Sequence, residues 1–122
     1  MSDIKDIIAE DFQLAAEAAL KRNKNLLDTV SKLNSATAKL NRAVVKASTQ
    51  CGCIELSGKR TDTVSAQIKG SLCASCRSVV EKEMGDALFY IAGIANALDI
   101  SIYDVMLKEK QQLSLLKNFS LM

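Results

Sequence analysis

Four cysteines in two close pairs constrain this chain more than any other feature. They read Cys51-Gly52-Cys53 and Cys73-Ala74-Ser75-Cys76. The residues before the first pair carry helical periodicity, and so do those after the second. If both stretches are helices and the chain folds back between them, the end of one lies beside the start of the other. The two pairs then meet. Zinc takes four thiolates at tetrahedral positions, each about 2.3 Å from the metal. Gly52 lets the first pair fold around an ion. The second pair falls at a helix start, where free backbone N–H groups and the helix dipole favour thiolate. The expectation is one structural zinc held by Cys51, Cys53, Cys73 and Cys76. Four protein thiolates leave no open position for water or substrate, and the chain has no histidine to move a proton, so a catalytic zinc is not expected. A disulfide or a redox pair stays open as an alternative, because Cys-x-x-Cys is also a redox spacing.

The rest of the sequence asks for helices. It has no proline and only five glycines in 122 residues, so little interrupts a long helix. Aromatic residues make up only 4%, which disfavours sheet. The length suits a single domain over 1–122. A net charge of +2, with bases and acids interspersed and no basic stripe of stacking aromatics, gives no reason to expect nucleic acid as a partner. The opening Met-Ser-Asp-Ile-Lys-Asp-Ile-Ile lacks the apolar core of a signal peptide, so a cytoplasmic location is expected, where clustered thiols favour metal over disulfide. The longest apolar stretch, Ala87 to Leu98, is broken by Gly93 and Asn96 and is too short for a bilayer, so no membrane is expected.

Four helices are readable. The first runs from about Asp3 to Arg22, capped by Ser2, with Ile4, Ile8, Phe12, Ala15 and Ala19 as its apolar stripe. Asn23, Lys24 and Asn25 are either a short turn or a polar patch in a continued helix. The second helix carries Leu26, Val30, Leu33, Thr37, Leu40, Val44 and Ala47 in alternating steps of four and three, a heptad seam that ends near Thr49. Gln50 to Ser71 reads as a long loop, which a metal would explain. The third helix spans about Cys73 to Leu98, with Val80, Met84, Ala87, Leu88, Ile91, Ala95 and Leu98 as its core face. In the fourth, Ser101 is the N-cap, Asp104 holds the capping-box position and Ile100 staples onto Val105. It continues through Met106, Leu107, Leu113 and Leu116 to about Lys117. The fold class expected is an all-α four-helix bundle.

Glu83 and Asp86 are three apart on the third helix, so they share a face and are the candidate ligands for a hard cation such as magnesium. The stretch Glu83-Met-Gly-Asp86-Ala-Leu-Phe-Tyr-Ile-Ala, then Ala95-Asn-Ala-Leu-Asp-Ile-Ser-Ile-Tyr-Asp-Val-Met, resembles the second half of MazG-like nucleoside triphosphate pyrophosphohydrolases. The resemblance covers about Glu81 to Lys110, a quarter of the chain. It implies a helical bundle that assembles as a homo-dimer or homo-tetramer, and magnesium-dependent cleavage of nucleoside triphosphates with Glu83 and Asp86 as half a site. The other half in that family is an E-E-x-x-E motif on the preceding helix. Here that stretch reads Lys39-Leu-Asn-Arg-Ala-Val-Val-Lys46, and no acid lies between Asp28 and Glu55. Two carboxylates are a thin magnesium set. Glu10, Asp11 and Glu17 on the first helix could supply ligands only in a rearranged or dimeric site, and they lack the expected spacing.

The sequence therefore favours a zinc-stapled, MazG-like helical protein, non-catalytic, acting by oligomerisation or by binding a partner or nucleotide. If nucleotide binds without turnover, Lys39, Arg42 or Lys46 would contact its phosphates. The alternatives are a divergent magnesium-dependent pyrophosphohydrolase and a regulator that releases zinc when its thiolates are oxidised.

Overall fold

The computed structural model describes residues 3–20 and 25–120. Four helices carry the architecture: α1 (Asp3–Ala19), α2 (Leu26–Lys46), α3 (Ala74–Ala97) and α4 (Ile102–Ser120). The protein is all-α in class, with a cysteine-bearing connection between α2 and α3. The described residues group into two compact units. One contains those up to 30 and from 89 onward, the other residues 31–88.

The helix ends follow from local chemistry. Asn25 caps α2: the Asp28 N–H donates to its side-chain oxygen at 3.3 Å, and the Thr29 N–H to its carbonyl at 3.1 Å. A separate second helix, and not a continued first one, is thus what the polar Asn25 marks. Ser101 caps α4 as expected, its hydroxyl accepting from the Asp104 N–H at 3.3 Å. α3 ends in a Schellman motif. The Ile100 N–H donates to the Ala95 carbonyl at 2.8 Å and the Asp99 N–H to that of Asn96 at 3.3 Å, with Asp99 in the left-handed region at φ 56°. The Ser2 cap, the Ile4 side chain and the Lys21–Arg22 end of the first helix fall outside the described residues.

The expected cysteine-bearing loop is present, and it carries local structure that the sequence reading does not anticipate. Its ends are ordered as a π-helical turn, Ala47–Cys51, then β1 (Ile54–Leu56) and β2 (Ile68–Gly70), which pair antiparallel with Ile54 opposite Gly70 and Leu56 opposite Ile68. Glu55 lies opposite Lys69, an opposite-charge cross-strand pair. Strands of three residues are too short to show alternation in a sequence, which is why they pass for loop. Gly70 is required by its surroundings: φ is 85°, and an added Cβ would stand 2.5 Å from the Cys53 carbonyl oxygen.

The buried stripes agree with those expected only in part. On α1 the covered positions are Ala9, Gln13, Ala16 and Leu20, one residue on from Ile8, Phe12, Ala15 and Ala19. On α2 they are Asp28, Thr29, Leu33, Ala36, Thr37, Leu40 and Ala43, with Ala47 in the turn that follows. Leu33, Thr37, Leu40 and Ala47 agree with the heptad reading, but Leu26, Val30 and Val44 are exposed. On α3, Val80, Ala87 and Ala95 are buried as expected, whereas Met84, Leu88, Ile91 and Leu98 are exposed. The physical reason is common to all three. Within one chain these helices turn small side chains inward and leave many large ones outside. Gly93 is the extreme case, since a Cβ there would overlap Leu20 Cδ1.

Candidate metal centre

The π-helical turn at the end of α2 delivers the first cysteine. The Gly52 N–H donates to the Ala47 carbonyl at 2.9 Å, and Gly52 reverses the chain with φ 81°. That reversal turns Cys53 back toward the same turn, where its sulfur approaches the Ala47 carbonyl at 3.7 Å. A residue with a side chain at position 52 would be strained in this conformation.

The second pair is built on the first turn of α3. Cys73 is the N-cap: its carbonyl accepts from the Arg77 N–H at 2.9 Å and its sulfur from the Cys76 N–H at 3.4 Å. The β1–β2 ribbon then closes the chain between the pairs. As a result Cys51 Sγ and Cys73 Sγ lie 3.8 Å apart, and the four sulfurs all fall within 4.8 Å of one another. Tetrahedral zinc with sulfurs at about 2.3 Å requires sulfur–sulfur edges of about 3.8 Å. One edge has that length already, and the widest must contract by only about 1 Å. The donor set therefore fits a metal ion and is consistent with structural zinc. All four cysteines are free thiols, so no disulfide competes for them in this structure.

The electrostatics of the cluster follow from its hydrogen bonds. The Cys76 N–H at the helix start, helped by the Cys76 thiol, lowers the Cys73 pKa to about 7. Cys76, whose thiol keeps its proton in hydrogen bonds to the Cys73 and Cys51 sulfurs, is raised to about 12. Four sulfurs this close cannot all ionise alone. A divalent cation among them removes that conflict.

The other sequence candidates stand apart from this arrangement. Among the described residues the four cysteines are the one group of three or more potential metal ligands brought together. Asp86 is occupied by Lys82 one turn earlier on its own helix, at 2.6 Å. Glu83 belongs to the covered row of α3, between Val80 and Ala87, and its Oε2 is buried without a hydrogen-bond partner. Glu10, Asp11 and Glu17 on α1 are exposed, as are Lys39, Arg42 and Lys46 on α2.

Sequence reasoning missed Gln13. Its side-chain amide holds both sides of the α3–α4 turn: Nε2 donates to the Ile100 carbonyl at 2.6 Å, and Oε1 accepts from the Ile102 N–H at 2.9 Å. Asn96 Nδ2 completes the clip by donating to the Gln13 carbonyl at 2.9 Å. Gln13 lies off the apolar stripe read from the sequence, so no local signal marked it.

Comparison of the chain with protein-family models, curated proteins and solved structures finds no match.

Proposed function

We propose that this protein is a non-catalytic, zinc-clasped helical protein, of MazG-like ancestry and cytoplasmic, that works by associating with copies of itself. The observation that carries the reading is the closed sulfur cluster: four thiolates fill a tetrahedral metal and leave no site for chemistry. Self-association is supported by what the helices bury. Ala16, Ala36, Ala47, Ala87, Ala92 and Ala95 make up most of the buried apolar residues, and among the described residues no large side chain is fully buried. Leucine, isoleucine, valine and methionine side chains line the exposed faces instead. Such faces are covered by other chains in proteins that assemble.

A second reading, a divergent magnesium-dependent nucleoside triphosphate pyrophosphohydrolase, has one observation in its favour. The unpartnered buried oxygen of Glu83 lacks the cation or donor that a carboxylate in that position calls for. Against it stand the Lys82–Asp86 ion pair and, among the described residues, the want of a third acid grouped with the two.

Elemental analysis of the purified chain, with its mass in solution and pyrophosphate release over a panel of nucleoside triphosphates, tests both. The expected result is one zinc per chain, a mass of at least twice 13.2 kDa and no turnover. Turnover abolished by Asp86→Ala would establish the second reading in place of the first.

A further inference from the structure

We infer that α4 is a self-pairing arm: it binds α4 of a second copy of this chain, antiparallel, through the face that carries Val105, Met106, Glu109, Lys110 and Leu113. The inference rests on the self-association proposed above and names the surface that performs it.

The helix presents a contiguous run of exposed apolar side chains. Every residue from Asp104 to Lys117 is exposed. Six of them are large and apolar: Val105, Met106, Leu107, Leu113, Leu115 and Leu116, each 40–60% accessible. Ile102, Met106, Glu109, Leu113 and Leu116 step by four, three, four and three, which is the spacing of a helix-pairing seam. Along one side, Val105, Met106, Glu109, Lys110, Leu113, Ser114 and Lys117 line a continuous shallow, largely apolar groove.

That groove is complementary to itself in one orientation. An antiparallel copy, centred between Glu109 and Lys110, sets Met106 against Leu113 of the second copy and Val105 against its Ser114. Glu109 then meets Lys110 of the second copy, and the two-fold axis repeats the contact with the roles exchanged. A parallel pair would instead stack Glu109 on Glu109 and Lys110 on Lys110. Neither Glu109 nor Lys110 has an ion-pair partner among the described residues. Adjacent residues on a helix do not face each other, so the two cannot satisfy one another within a chain. The apolar positions supply affinity and the central charges set direction.

The test is the mass of the full zinc-loaded chain in solution, by sedimentation over a concentration series. The parent is expected at two or more copies, and Leu113→Glu is expected to weaken the pairing at least about 100-fold, because the change is felt twice across a two-fold axis. Zinc content and helix content should be unchanged, since Leu113 is exposed in the single chain and lies on a different helix from the cysteines. Glu109→Lys alone should weaken pairing about tenfold, and adding Lys110→Glu should restore it. Carbodiimide, which joins a carboxylate to a neighbouring amine, should give a covalent dimer linked between Glu109 and Lys110 of the second copy. A parent chain that stays monomeric at 100 µM overturns both this inference and the proposed self-association. An oligomer indifferent to Leu113→Glu, or cross-linked elsewhere, overturns the α4 pairing alone.

Discussion

Removing one sulfur from the clasp should loosen residues 31–88 by an amount that can be worked out beforehand. In Cys76→Ser a hydroxyl replaces a thiolate and the four-coordinate set is broken. With zinc bound, the cluster ties together Cys51 and Cys73, 22 residues apart, so the unfolded chain is cross-linked as it would be by a disulfide. Loop-closure entropy for a span of that length is about 3 kcal/mol at 25 °C. For a unit of this size, each kcal/mol moves the midpoint by about 4–8 °C, so the shift expected is on the order of 12–24 °C. The helices outside the clasp keep their own contacts, so the variant should fold at low temperature and melt earlier, unlike a zinc finger that unfolds outright. The assay is thermal melting followed by circular dichroism, with and without a strong chelator. Chelator should bring the parent down to the midpoint of Cys76→Ser and leave that variant unmoved. If the parent holds stoichiometric zinc and yet Cys76→Ser melts within about 3 °C of it, the clasp is not what secures the α2–α3 connection.

The other predictions concern separate parts of the molecule. Gln13→Ala removes both amide bonds to the α3–α4 turn and should cost about 1–2 kcal/mol, seen as faster amide exchange at Ile102. Exchange at Ile102 as slow as in the parent would show that the clip does not hold the turn. Gly93→Ala puts a methyl group against Leu20 Cδ1, the free end of a half-buried side chain that can turn aside. With alanine's better helix propensity the change should stay within about 1 kcal/mol of the parent in denaturant unfolding, and a loss well above that would show that Leu20 is held fast. In metal-free protein, Cys73 has its pKa lowered to about 7, so its thiolate is favoured by the fold. That contribution is complete above the ordinary thiol value of 9.0 and is lost as pH falls through about 7. Alkylation by iodoacetamide should therefore reach Cys73 first, with a rate rising through pH 7, while Cys76, raised to about 12, stays inert. Zinc should protect both. Equal alkylation of the two at pH 7.5 would contradict the hydrogen-bond pattern.

The cysteines and the caps were legible because their chemistry is local. Two close thiol pairs at the boundaries of periodic segments say where a metal sits, and Ser101 with Asp104 three residues on says where α4 begins. The β-ribbon was not legible, since Ile54–Leu56 and Ile68–Gly70 are each too brief for a period to show. Nor were the buried faces. Periodicity tells that α2 has an apolar stripe, but Leu26, Val30 and Val44 satisfy it as well as Thr29, Ala36 and Ala43 do. Choosing between them depends on how closely neighbouring helices approach, and on whether a large side chain is covered by its own chain or by another. Gln13 was hidden for a related reason. Its value depends on the turn at Ile100 and Ile102, far away along the sequence.

The alanine rows reverse the customary guide to substitution in this molecule. Enlarging Ala36 or Ala87 by a few carbons should be more harmful to a lone chain than replacing Leu115 or Leu98 with a hydrophilic residue. The single chain is thus held by small residues, while the large ones on the same helices stay at its surface. Under the self-association proposed above, drift in those large surface residues would retune how many copies gather while leaving the four-cysteine cluster and the individual chain intact.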